Sequence, residues 1–254
     1  MQPECNPFSF FSCFCLLSSQ LENMLVYYES CLMMVISTKA DALRVVKLSK
    51  ADKNNIFEFM MKDFLHNESL NCSVGLTEND ADAVFRANID HCLKTPISYA
   101  MKNDSNEIVG MRLCSVLQRP VRNQENEPCP DFGNWKANAL FSFVSHLENQ
   151  IWNAIPSSWN TLMSMSFISV DKNYGNRGIG KILLEHNMDE IKAIGCQAIV
   201  TEATAYKSQQ LFIKKLGYIP AYEILHRDWL DEHGNQIFRC TDGTDRAILA
   251  YKPL

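Results

Sequence analysis

From residue 42 onward, the apolar positions switch between the periods of strands and helices. Ala42 to Leu48 carries the apolar run of a strand, and Ser49-Lys50-Ala51-Asp52 offers a capped start to a helix with apolar Ile56, Phe59, Met60 and Phe64. Thr77-Glu78-Asn79-Asp80 opens a second amphipathic helix through Ala83, Val84 and Ile89. Ile97 to Met101 and Ile108 to Leu117 read as two strands joined by the polar turn Lys102 to Glu107, hence a hairpin. A helix over Ala137 to Trp152 sets Leu140, Phe141, Val144, Leu147 and Ile151 on one core-facing stripe. The second half begins with a β-branched run, Phe167 to Val170, then a glycine-rich turn and a helix bearing Ile182, Leu183, Ile191 and Ile194. A short strand, Gln197 to Thr201, and a helix, Ala205 to Leu216, lead to a final strand pair, Ile219 to Arg227 and Ala247 to Tyr251. The polar segment Asp228 to Asp245, turning at Asp231 to Asn235, connects that pair.

The turn between Val170 and Ile182 carries the first chemistry. Gly175, Gly178 and Gly180 free the backbone for positive φ and leave the N–H groups of Asn176 to Lys181 uncovered, so they can converge on an anion at a helix start. A nucleotide-triphosphate loop needs Gly-Lys followed by Ser or Thr, whereas Gly180-Lys181 is followed by Ile182, leaving no hydroxyl for magnesium. The dinucleotide fingerprint fails as well, because its glycine spacing runs in the opposite order and only Glu202 loosely supplies the acidic residue after the second strand.

Gly175-Asn176-Arg177-Gly178-Ile179-Gly180 resembles the pyrophosphate-binding turn Arg/Gln-x-x-Gly-x-Gly/Ala of the GNAT N-acetyltransferases, with Gly175 where Arg or Gln is usual and Arg177 two places later. Ala203 to Tyr218 is similar to the family's next helix and to the Lys-Leu-Gly-aromatic sequence that ends it. The resemblance covers about residues 40 to 254 and implies an α/β (α+β) fold. In it, a mixed, mostly antiparallel twisted sheet of about six to seven strands splays at its central strand and is flanked by helices. It also implies acetyl-CoA as cosubstrate and no metal. The pyrophosphate would rest on Gly175 to Lys181, including Ile179. The pantetheine arm would pair with Ile168 and Val170, and an N–H near Val170 would face the thioester oxygen.

Within Asp63 to Asn71, Asn67-Glu68-Ser69-Leu70-Asn71 is similar to the Asp-Glu-Pro-Leu-Asn segment of insect arylalkylamine (dopamine-type) N-acetyltransferases, with Ser69 in place of proline. That family's base falls on Glu68; the plain alternative is a solvated carboxylate at a helix end. The tyrosine that protonates the leaving thiolate in many acetyltransferases falls on Ile213, and the serines of the insect enzymes fall on Ala205 and Gln209. Ser208 and Tyr206 are the substitutes on offer, against the alternatives of an exposed hydroxyl and a core aromatic.

Composition narrows the rest. At 254 residues the chain can bury a full core, and a net charge of −5 with no basic block argues against a nucleic-acid surface. Its ten cysteines show no CxxC pair or Cys/His ligand spacing, which suits reduced thiols in the cytoplasm and no zinc. Residues 1–38 lack Lys and Arg and are rich in Phe, Cys, Ser and Met, so they read as an extension outside a domain of residues 39–254. A signal-peptide core at Phe8 to Leu17 lacks its basic flank, and Glu22 and Glu29 interrupt any membrane span. Gln118 to Trp135, with Pro120, Pro128 and Pro130, is a candidate lid or a plain surface insertion. The expectation is a monomeric transferase that moves an acetyl group from acetyl-CoA to a small primary amine. The alternatives are acetylation of a protein lysine or N-terminus, and a catalytically silent acyl-CoA-binding protein.

Overall fold

The computed structural model describes residues 42–120 and 130–254; the extension 1–38, the domain start at residue 39 and the middle of the candidate lid lie outside the described residues. The elements are β1 (Arg44–Lys47), α1 (Lys53–Phe59), α2 (Ser69–Val74), α3 (Glu78–Cys92), β2 (Tyr99–Lys102), β3 (Ile108–Gln118), α4 (Trp135–Asn149) and α5 (Ile151–Ala154). Then follow β4 (Thr161–Val170), α6 (Ile179–Glu185), α7 (Met188–Ala193), β5 (Ala198–Ala203), α8 (Tyr206–Gln209), β6 (Ile219–Leu225) and β7 (Arg246–Pro253). The predicted starts hold for local reasons. Ser49 with Asp52 and Thr77 with Asp80 form capping boxes, and Asn134 Oδ1 takes the Ala137 N–H at 2.8 Å to start α4.

The strands form one seven-stranded sheet in the order β1-β2-β3-β4-β5-β7-β6. Among the described residues only β4 and β5 run parallel; every other pair is antiparallel. Ile56, Val84 and Leu140 of α1, α3 and α4 pack with the Leu162, Ala198 and Val200 side of the sheet, while Ile179, Leu184, Ile191 and Phe212 cover the opposite side. One irregularity organises the centre. Leu113 faces Phe167 but Cys114 faces Met165, so Ser166 is an extra residue in β4, a β-bulge. Before it Met163 and Met165 point toward the α7 side; after it Ile168 and Val170 take that side and Phe167 turns toward α1.

The helix predicted to run from the glycine turn through Ile194 is instead two, α6 and α7, broken at His186 and Asn187, where Asn187 takes φ 53°. The buried side chain of Arg112 meets that break. Its Nη1 donates to the Leu183 and His186 carbonyls at 2.7 and 3.0 Å, and its Nη2 to the Ile97 carbonyl at 3.2 Å. The two separate nitrogens of the guanidinium reach carbonyls on both sides, which the single nitrogen of an ammonium cannot span, so Arg112→Lys is expected to lower stability by about 2–3 kcal/mol in denaturant unfolding. Gly110 matters for a different reason: a Cβ there would lie 2.9 Å from Ile179 Cγ2 and 3.4 Å from Leu183 Cδ1, the side chains that seat α6 on β3. Gly110→Ala is therefore expected to cost about 1–3 kcal/mol through overpacking, read as a lower unfolding midpoint at unchanged slope.

Candidate active site

The site forms where two neighbouring strands part. β4 and β5 are paired only from Leu162–Ala198 to Ser164–Val200; beyond that, Thr201 Oγ1 still reaches the Met165 carbonyl at 3.3 Å, and then the strands separate at the bulge. On its other edge β4 stays bonded to β3. The Asp171 N–H donates to the Val109 carbonyl at 3.0 Å, so antiparallel alternation turns the N–H and C=O groups of Ile168 and Val170 toward the side β5 has left. Two residues assigned from sequence to a carrier arm thus present unpaired backbone to the gap.

β4 ends in Asp171, whose carboxylate accepts the Asn173 N–H at 2.8 Å, and a short 3-10 turn, Lys172–Tyr174, leads into the glycine bend. Asn176 and Gly178 take φ 60° and 75°, and Gly175 to Gly178 lie exposed with no side chain over them. Among the described residues no hydrogen bond takes the N–H groups of Asn176 to Lys181, which gather at the start of α6. The Arg177 guanidinium lies 4.8 Å from the Tyr174 ring centre, and Lys181 stands 3.9 Å from Glu185 on the exposed face. Open backbone donors and two nearby cations fit a diphosphate.

Beside the opening lies a cleft of about 490 Å³. Ser166 and Phe167 of β4, Glu202 and Thr204 at the end of β5, and Glu68 all line it. Glu68 is the N-cap of α2: its Oε2 accepts the Asn71 N–H at 2.8 Å, and its Oε1 takes the Thr204 hydroxyl at 2.9 Å. The expected helix-end position is correct, but the carboxylate points into the cleft rather than into bulk solvent. Burial pushes its pKa up, hydrogen bonds from Asn71, Leu70 and Thr204 oppose this, and Asp242 adds to the rise. Asp242 itself accepts the Ser69 hydroxyl at 2.6 Å, so the long connection before β7 reaches back to brace the Glu68 turn. The α1 helix continues through a π-helical segment, Met60–Phe64, which sets Phe64 against Phe167 at 5.2 Å and Asp63 against the Ser169 hydroxyl at 2.6 Å.

Tyr206 and Ser208 are not among the cleft's lining residues. The Ser208 hydroxyl donates to the Ala205 carbonyl at 2.7 Å and accepts the Ala205 N–H at 3.2 Å, and Tyr206 is half-exposed. Thr204, Ser166 and Glu148 escaped notice in the sequence, and Glu202 was met only as a poor match to a dinucleotide fingerprint. A usable signal existed for the two acids: Glu148 falls one turn after Val144 on the apolar stripe of α4, and Glu202 continues the buried row Ala198, Val200. Among the described residues no group of three or more His, Cys, Asp or Glu could hold a metal, and no helix is long and apolar enough to cross a membrane.

An open sheet splayed at its fourth strand, with a glycine bend at the strand's end, is the acetyltransferase arrangement, and residues 63–218 match the model of the acetyltransferase (GNAT) family. The chain belongs to that family, and its enzyme class is N-acetyltransferase. Its fold is shared with arylalkylamine N-acetyltransferase 2 from Aedes aegypti, at TM-score 0.71 and 21% identity, over 84% of this chain and 99% of that one. A mosquito arylalkylamine N-acetyltransferase-like 5b structure (TM-score 0.69, 17% identity) and the Drosophila melanogaster polyamine N-acetyltransferase (0.68, 15%) each align over 84% of this chain and 100% of their own. Among curated proteins, no sequence matches the chain.

Proposed function

We propose that the chain transfers the acetyl group of acetyl-CoA to a small primary amine of the arylalkylamine kind, by direct attack on the thioester. The observation that carries this reading is the single cleft that Glu68 shares with both parted strands, since it would bring base, acceptor and acyl donor together. Acetyl-CoA supplies an activated acyl group and a thiol leaving group. The N–H groups of Asn176, Arg177, Gly178, Ile179, Gly180 and Lys181 would hold its diphosphate, with Gly175, whose own N–H goes to the Lys172 carbonyl at 3.3 Å, shaping the bend. Ile168 and Val170 would pair with its amide arm along the free edge of β4. With the bulge at Ser166, the gap-facing N–H groups of Ile168 and Val170 would both be placed to donate to the thioester oxygen; loss of one such donor typically costs about 3 kcal/mol.

At pH 7 an alkylammonium lies about 3 units below its pKa, so a base must take its proton, and Glu68, with its pKa raised by burial, is suited to do so directly or through water. A thiol with an ordinary pKa near ~8.5 can leave without a dedicated acid, so neither Ser208 nor Tyr206 is required for turnover. The ring-lined wall of Phe85, Phe132 and Phe141 suits the hydrocarbon part of a small amine better than an extended peptide. Among the described residues, free thiols at Cys72, Cys92, Cys114, Cys196 and Cys240 support a cytoplasmic setting, and the working domain is taken as residues 39–254, acting as a monomer. Free thiol release from acetyl-CoA over a panel of amines tests the reading. Tight CoA binding without release on any amine would instead identify a silent acyl-CoA-binding protein.

A further inference from the structure

The cleft contains a second group of acids that acetyl transfer does not use. Glu202 on β5 and Glu148 on α4 both line it: Glu148 meets Ser164, the last β4 residue paired with β5, and Glu202 lies just past that pairing, two residues before Thr204, to which Glu68 is tied. Glu148 accepts the Ser164 hydroxyl at 3.3 Å; Glu202 Oε1 is buried and has no hydrogen-bond partner among the described residues. Lys94 and His91 also line the cleft, and among the described residues neither is in an ion pair with Glu148 or Glu202. Burial and the charge of Glu148 both push the Glu202 pKa well up.

An unpartnered carboxylate oxygen in an apolar wall is unfavourable for folding, so its retention points to a partner that arrives from outside. A metal ion would want at least a third donor, and the described residues provide none. An organic cation fits better: paired carboxylates accept its N–H groups, and the faces of Phe85 and Phe141 suit the adjoining methylenes.

We propose that Glu148 and Glu202 form a subsite for a second positive charge on the acceptor, so that the preferred substrate is an aliphatic diamine or an amine with a distal guanidinium. This rests on the cleft being the site of a small primary amine, and it puts a second cation, in place of an aryl group, at the far end of that acceptor.

Titration calorimetry on the full chain saturated with CoA tests this without turnover. A diaminobutane and a diaminopentane are compared with butylamine, pentylamine and phenylethylamine. The diamines are expected to bind about tenfold or more tightly than the matched monoamines, and Glu202→Gln is expected to collapse that ratio toward one. Should Glu202→Gln not fold, Glu148→Gln removes the other half of the pair from α4 and must lower the same ratio. Equal binding of diamines and monoamines, or a ratio that survives both variants, overturns the subsite. Acetylation of the panel with a ratio near one sinks the subsite and keeps the transferase; an intact ratio with no acetylation of any amine does the reverse.

Discussion

Glu68→Gln is expected to lower kcat/KM for amine acetylation by about 10²- to 10⁴-fold while leaving CoA affinity within about twofold. The glutamine keeps an oxygen for the Asn71 N–H that starts α2, so the loss would be of proton transfer and not of the turn. Stability supports that separation. Burial raises the Glu68 pKa in the folded chain, so its contribution to folding is fully present below the unfolded pKa and is lost as pH rises through the folded one. At neutral pH the native carboxylate is therefore the strained state, and a neutral isostere is relieved of that strain. For the same reason the acid limb of the kcat/KM profile should lie above the ordinary carboxylate range and be missing in Glu68→Gln. A wild-type limb at an unshifted value near ~4.3, or a variant of full activity, would rule Glu68 out as the base. Thiol release followed across pH, with calorimetry for CoA, supplies both readings.

The second large effect is expected at the bend. Gly178 takes φ 75° and caps α6, and a β-branched residue cannot hold that conformation without about 1–3 kcal/mol of strain. Space is not the obstacle, since a Cβ there would meet nothing within 4 Å; the backbone is. Gly178→Val should rotate the peptides that aim the Ile179 and Gly180 N–H groups outward. Losing two hydrogen bonds to a charged group, at about 1.5 kcal/mol or more each, predicts a Kd for CoA raised by about 100-fold. The fold should survive, because the cores on both faces of the sheet do not involve Gly178. An unchanged Kd in a folded variant would falsify the phosphate assignment.

Parts of the site were legible because their chemistry is local. The glycine spacing from Gly175 to Gly180 prescribes positive φ wherever it occurs, and Asn176 and Gly178 adopt it. The segment around Glu68 was legible through its likeness to a known motif, but the short helix it caps, Ser69–Val74, was not. The bulge at Ser166 was not legible: the sequence predicts a strand only over Phe167 to Val170, whereas β4 runs from Thr161, and only the pairing with β3 reveals the extra residue. Arg112 was equally hidden, since its three carbonyl partners come from segments distant in the chain.

The sequence alone determined most of the order of strands and helices and the glycine bend after β4, because each depends on residues within a few positions of one another. Tertiary structure alone decided where β4 leaves β5, that Glu68 faces a cleft and meets Thr204, and that Glu148 and Glu202 share that cleft. Those facts depend on register and packing between elements up to 136 positions apart in the chain, and no local periodicity encodes them.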